Sequence, residues 1–208
     1  MSTKPILFNT EMVRAILDGR KSCTRRICKD ANECTVPDMD YYDPDKRTYA
    51  VHNYADEKHT DKLSIAERTC PICPGDILYV RETWHKGLER YIYRANYSDT
   101  EKFYRDGKEI EMKWHPSIHM PKEAARIWLK VTDVRVERLQ DITSKQICKE
   151  GIEVEEPYVL NGEEKRYAFS RLWDSTVKKS DLDRYGWNAN PWVWVIEFER
   201  CERGGIDG

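Results

Sequence analysis

Apolar and polar positions alternate in short blocks along the chain, and the period changes from block to block. "KPILF" (Lys4 to Phe8) predicts a short strand. Met12, Val13, Ile16 and Leu17 follow helical spacing behind Thr10, a residue type that caps helix starts. Gly19 sits where a left-handed residue ends a helix, so the helix stops as "GRKSCTRR" begins. The densest cationic stretch of the chain therefore falls on a helix-to-strand turn.

Farther along, "PGDILYVRETW" (Pro74 to Trp84) opens with a turn dipeptide and then alternates, with "RYIYRA" following as the expected hairpin partner. "RIWLKVTDVRVERL" places Ile127, Leu129 and Val131 on one face. It keeps Val134 and Val136 there only if a bulge intervenes at Thr132 and Asp133. "DITSKQICKEGI" predicts a short helix capped by Thr143 and stopped by Gly151, with Glu150 as its last residue. "RYAFSRLWDSTV" has helical spacing, and "PWVWVIEFER" reads as an aromatic, β-branched strand. Two stretches, about residues 29–69 and 96–115, are polar without a sustained period and are expected to be insertions or long loops. Many short strands with few short helices predict an α+β domain around a small mixed or closed sheet. No GxGxxG, Walker loop or HExxH occurs, which removes dinucleotide-dependent and P-loop chemistry from consideration.

A chain of 208 residues fits one domain carrying insertions. Its 35 Lys and Arg stand against 37 Asp and Glu, so a nucleic-acid footprint has to be local rather than global. With 7 Trp and 12 Tyr the chain is too aromatic to be disordered. No apolar run reaches the roughly 20 residues that span a bilayer, and the first residues lack a signal-peptide core, so a cytoplasmic protein without a membrane partner is expected.

Seven cysteines in a reducing compartment are thiols or metal ligands rather than disulfides. Cys70 and Cys73 form "CPIC", a knuckle spacing, which Cys28 and Cys34 complete to a four-thiolate structural zinc site if the first insertion folds back; His52 and His59 are alternative ligands. The bland alternative is four unrelated thiols. His115 and His119 in "HPSIHMP" are separated by Pro116, which argues against one helical face; the segment reads as a loop from which His119 can meet a ligand. Tyr79, Trp84 and Trp114 are candidate stacking platforms for bases, with Trp84 favoured because it follows Arg81 and Glu82 at the end of a strand.

Taken in order, "ILDGRKSCTRR", "PGDILYVRETW", "LQDITSKQICKEGI" and "WVWVIEF" resemble the ASCH domain, a member of the PUA-like group of β-barrels associated with RNA and modified nucleosides. The set also resembles larger ASCH-containing proteins of bacteriophages and prophages. The resemblance implies a PUA-like, mostly antiparallel β-barrel with short flanking helices and two polar insertions, forming one domain over residues 1–208. One branch of that family removes the acetyl group of N4-acetylcytidine with a Lys, a Thr and a Glu, which by motif fall on Lys21, Thr24 and Glu150.

Amide hydrolysis needs a nucleophile, a base and a donor to the developing oxyanion. Thr24 beside Lys21 supplies the first two if burial and the neighbouring Arg20, Arg25 and Arg26 make the lysine a weaker base, and Glu150 then shuttles the proton. The reaction needs no cofactor. The remaining expected contacts to a modified nucleoside or single-stranded nucleic acid are Arg20, Arg25, Arg26, Arg81, Glu82, Trp84 and His119. Two alternatives remain open at the level of sequence: a nucleic-acid-binding module without chemistry, with Arg25 and Arg26 on phosphates, and a ribonuclease. A solvated turn with Thr24 as an ordinary strand residue is the reading that assigns no function at all.

Overall fold

The computed structural model describes residues 2–29, 37–43, 48–54, 62–69, 71–153 and 163–203, the three stretches within 37–69 by backbone alone. The main sheet has the order β1 (Thr3–Leu7), β6 (Ile77–Arg81), β11 (Trp128–Arg138), β12 (Trp192–Cys201), β2 (Cys23–Ile27). The β1–β6 pairing is parallel and the others are antiparallel. The fold is therefore α+β with a mostly antiparallel sheet.

The expected closed barrel is corrected: among the described residues the sheet is open, with β1 and β2 at its edges. A side chain stands where a backbone ladder would close it. Arg26 on β2 donates from Nη2 to the Leu7 carbonyl of β1 at 3.0 Å. On the β2 edge itself, Lys21 Nζ takes the Cys23 carbonyl at 2.7 Å and Arg26 Nη1 takes that of Arg25 at 2.9 Å. Edge carbonyls already satisfied by cations offer little to a sixth strand.

The remaining strands form small separate sheets. Residues 37–69, expected as a long loop or insertion, carry an antiparallel sheet of β3 (Pro37–Asp43), β4 (Thr48–Tyr54) and β5 (Lys62–Thr69). The predicted hairpin is also revised. Ile77–Arg81 joins the main sheet, and the partner of β8 (Tyr91–Tyr93) is the short β7 (Trp84–Lys86). The break between β6 and β7 falls at Glu82, which is buried and held by a two-pronged pair from Arg126 at 2.8 and 2.9 Å. The second polar stretch holds a third hairpin, β9 (Phe103–Arg105) with β10 (Lys108–Ile110).

Both faces of the main sheet are covered. Helix α1 (Thr10–Leu17) packs Val13 and Ile16 onto one face, against Leu129, Val131, Val134, Ile196 and Phe198. The register shift between Val131 and Asp133 keeps Val134 on that face, as the alternation requires. Helices α2 (Ser144–Lys149) and α3 (Glu163–Thr176) cover the other, where Ile147, Phe169 and Trp173 meet Cys23, Val193 and Val195. A short α4 (Leu182–Tyr185) precedes β12. The cap of α1 is Asn9 rather than Thr10: its side chain accepts from the Met12 amide. Thr143 caps α2 in a reciprocal box with Gln146.

Gly151, which stops α2, decides how closely the two helical ends approach. Its φ is +84°, and a Cβ there would lie 2.7 Å from the Ala15 Cβ and 2.9 Å from the Lys21 Cβ. Only a residue without a side chain lets α2 end against α1 and the start of β2. That approach brings Glu150 alongside Lys21, with which it forms an isolated antiparallel bridge.

Candidate functional site

The free edge of β2 is where the candidate side chains converge. The ladder to β12 is fixed at both ends by Phe198 N–H to the Ser22 carbonyl and Cys28 N–H to the Trp192 carbonyl. Alternation then turns the amides and carbonyls of Cys23 and Arg25 outward, to the free edge. The same alternation sends Thr24 and Arg26 to the α1 face, and Cys23 and Arg25 to the α2 face. Lys21, two residues before the strand, sits at the edge with its Nζ 5.5 Å from the centre of the Phe8 ring.

Lys21, Thr24, Arg25 and Glu150 are all buried, at 4, 2, 2 and 5% exposure. Lys21 Nζ donates to Glu150 Oε2 at 2.7 Å, to the Glu150 carbonyl at 3.0 Å and to the Cys23 carbonyl at 2.7 Å. All three ammonium protons therefore have acceptors. Burial pushes the lysine below its ordinary value, the Glu150 carboxylate pulls it back up, and Arg26 adds to the lowering; the net direction is down. Burial, with the Glu150 charge behind it, pushes the Cys23 thiol up to about 12, so Cys23 is a neutral wall residue and not a nucleophile.

Thr24 Oγ1 accepts from Arg26 Nη1 at 2.9 Å. Arg26 is exposed, with its guanidinium 5.3 Å from the Phe8 ring centre. Arg25 has the opposite character: its guanidinium is buried between Glu150 Oε1 at 3.0 Å and Glu137 Oε2 at 3.2 Å. These groups open onto a cavity of about 350 Å³, walled by Phe8 and Met12 on the α1 side and by Phe169, Leu172 and Trp173 on α3. A polar floor under aromatic walls is the usual make-up of a small-molecule site.

The other predicted site residues lie elsewhere. Arg20 is engaged with the Gly151 carbonyl and Asp18, at the turn but outside the cavity lining. Arg81, Glu82 and Trp84 belong to the far side of the sheet, since β11 and β12 stand between β6 and β2. Arg81 donates to the Ile118 carbonyl, and Glu82 is neutralised by Arg126. Trp84 is 8% exposed and packed against Tyr91 and His115, so it offers no open face to a base. His119 is exposed at the end of a short 3-10 turn. Of the proposed zinc ligands, Cys28 and Cys73 are fully buried in one apolar cluster; Cys34, Cys70 and His59 lie outside the described residues, as does the side chain of His52. Among the described residues no group of three or more metal-ligating side chains comes together, and no helix is long and apolar enough to cross a membrane.

Four contributors went unseen in the sequence. Phe8, Phe169 and Trp173 read only as core positions of β1's end and α3, which they also are. Glu137 sits on the polar side of β11 with Asp133 and Arg135, a spacing that reads as a solvated strand face; α2 covers it instead, and Gln146 of that helix approaches Glu137.

No protein-family model and no curated protein matches the sequence. Among solved structures the chain is similar to the ASCH domain from Lactobacillus crispatus JV V101. That match has a TM-score of 0.38 and 13% identity, over 96% of this chain and 79% of the other. It is also similar to the hypothetical protein PH0355, with a TM-score of 0.34 and 17% identity over 97% of this chain and all of the other.

Proposed function

We propose that the chain is a hydrolase that cleaves the exocyclic amide of an N4-acylcytidine-type nucleoside in the cavity at the β2 edge. The observation that carries the reading is a buried lysine, weakened as an acid-base partner of water by its burial, in contact with a buried carboxylate beside a strand hydroxyl, all opening on one aromatic-walled cavity. Buried ionisable groups cost several kcal/mol each when they serve only to pack, on the order of the whole stability margin of a domain. A cavity lined by three of them has a chemical use for the charge.

In this reading Thr24 Oγ attacks the acyl carbon, and its proton passes to Lys21 in the neutral form. Lys21 reaches that form by leaving its proton on Glu150 Oε2, the acceptor at 2.7 Å. The oxyanion collects the Arg26 guanidinium, which already donates to Thr24 Oγ1. Collapse expels the exocyclic nitrogen, which takes a proton from Lys21 to leave as the free amino group, and water then clears the acyl group from Thr24. Lys21 must release one of its three resting contacts to reach Thr24, a rearrangement that substrate entry triggers.

The test is release of acetate and cytidine from N4-acetylcytidine by the wild-type protein beside Lys21→Met, Thr24→Val and Glu150→Gln. Turnover by wild type that falls at least about a thousandfold in each folded variant supports the assignment. Unchanged turnover in Lys21→Met overturns it.

One observation favours the binding-only alternative: Arg26 is exposed and lines the cavity, and its Nε meets no acceptor among the described residues. On that reading RNA or DNA binding weakens with salt and with Arg26→Gln, while Arg25, locked between two carboxylates, is not available to a phosphate. Strong salt-dependent binding with no hydrolysis would select it.

A further inference from the structure

We propose that Arg25 and Glu137 are a positioning pair: together they fix the orientation of Glu150 and set how the proton is shared between Glu150 and Lys21. The role rests on the reading of Lys21 as the base of the reaction; Arg25 reaches the cavity lining with its guanidinium held by two carboxylates, and Glu137 lies outside that lining.

The geometry that carries it is a chain of alternating charge running from the cavity floor outward. Lys21 meets Glu150 Oε2, Glu150 Oε1 meets Arg25, and Arg25 meets Glu137. Glu137 meets Arg135, which also holds Glu197, and Glu197 ends on Lys149 at the surface. Each oxygen of Glu150 thus has its own cation, a lysine on one and an arginine on the other. A guanidinium is in general a permanent cation, so it places a positive charge on the oxygen opposite the one that receives the Lys21 proton. With one oxygen pinned, the other is aimed at Nζ.

Packing alone does not call for an arginine here. Its neighbours along the same face of β2, Cys23 and Ile27, are in or against an apolar cluster, and an apolar side chain at 25 would continue that row without desolvating a charge. The Arg25 Nε is buried with no hydrogen-bond partner among the described residues. The guanidinium is therefore oriented to serve its two carboxylates and leaves one of its own donors unmatched, a sign that the orientation itself is what is held.

The groups that bear on the Lys21–Glu150 pair come from every side. Strand β2 contributes Cys23, Arg25 and Arg26; β11 contributes Glu137 and, behind it, Arg135; β12 contributes Glu197; and α2 contributes Lys149. The cavity walls from α1 and α3 contribute no charge at Phe8, Met12, Phe169, Leu172 or Trp173. Glu137 is the member paired directly with Arg25 whose removal changes the local charge without touching Lys21 or Glu150. Neutralising it leaves Arg25 uncompensated, which disfavours a proton on either member of the pair. Neutralising Arg25 has the opposite sign.

The experiment follows the ε-carbon resonance of Lys21 in protein labelled with [ε-13C]lysine, assigned by its loss in Lys21→Met. Wild type, Glu137→Gln, Arg25→Gln and Arg25→Lys are titrated, and N4-acetylcytidine hydrolysis is measured on the same samples. Glu137→Gln is expected to move the Lys21 titration down by about one pH unit and Arg25→Gln to move it up by a similar amount. Arg25→Lys, which keeps the charge and loses the fork, leaves the titration in place and lowers kcat with little change in KM. If Arg25→Gln does not fold, Glu137→Gln still decides: a Lys21 titration coincident with wild type overturns the proposal. Shifted titrations with no hydrolysis by wild type would remove the hydrolase reading and leave standing only the coupling of Arg25 and Glu137 to the Lys21–Glu150 pair.

Discussion

Lys21→Met is the perturbation for which the structure gives the most complete expectation. The substitution keeps an unbranched chain out to Cε, with sulfur in place of Cδ, and removes Nζ and its charge. Three acceptors lose their donor: the Cys23 carbonyl, the Glu150 carbonyl and Glu150 Oε2, formerly at 2.7, 3.0 and 2.7 Å. A buried acceptor left unmet costs about 1–3 kcal/mol. Against this, the fold no longer has to desolvate an ammonium whose side chain is 1% exposed. Breaking one side of a buried pair leaves a net loss of about 3 kcal/mol. Urea unfolding followed by far-UV circular dichroism reads it as a midpoint lower by about 1.5 M at a slope of about 2 kcal/mol per M, with the slope unchanged. The pH dependence adds a second signature. Because burial holds the Lys21 amine below its ordinary value of 10.5, the unfolded chain binds the proton more tightly than the folded one. Between the folded value and 10.5, wild-type stability therefore gains up to about 1.4 kcal/mol per pH unit from this group, and the methionine variant gains nothing. The deficit of Lys21→Met grows as pH rises through that window and is smallest below it. A loss under about 0.5 kcal/mol that is flat with pH would refute the buried network around Lys21.

Two further expectations test the ground on which the site stands. Gly151→Ala forces a Cβ to within 2.7 Å of Ala15 Cβ and 2.9 Å of Lys21 Cβ at a φ of +84°, so it should cost about 2–4 kcal/mol by chemical denaturation; a variant as stable as wild type would mean that α2 does not close onto α1. In native protein treated with iodoacetamide at pH 8 and digested for mass spectrometry, the exposed Cys148 should be alkylated and Cys23 spared, since a thiol pushed up to about 12 presents almost no thiolate. Equal labelling of the two would place Cys23 outside the buried floor.

Periodicity made the frame of this fold legible where one face of an element decides its residues. The bulge in β11 was forced by the need to keep Val131 and Val134 on one side, and the register shift lies there. The short α2, from Thr143 to Gly151, followed from cap chemistry alone. What local pattern could not supply was which neighbour covers a polar face. Asp133, Arg135 and Glu137 alternate with valines as a solvent-facing row does, yet Glu137 supports the cavity floor. Trp84 at a strand end looked like a platform for a base, and the β7–β8 hairpin with His115 folds over it. Residues 37–69 offered no sustained period to read, although the three strands there run 7, 7 and 8 residues.

The open edge and the candidate site have one physical origin. A strand at the margin of a sheet presents carbonyls and amides that need partners. In β2 the outward carbonyls of Cys23 and Arg25 are answered by Lys21 and Arg26, which draws two cations to the rim of the sheet. Once there, one cation has to be balanced in a buried setting, and Glu150 is delivered for that purpose by a helix that can end close enough only because residue 151 is glycine. The alternation of the strand then separates the partners by face, with Thr24 and Arg26 on the α1 side and Arg25 and its carboxylates on the α2 side. Lys21, at the edge itself, lies between the two faces, with Glu150 as its ion-pair partner. A sixth strand paired to β2 would compete with Lys21 and Arg26 for the same carbonyls, so the cations that line the cavity are also what occupies the open edge.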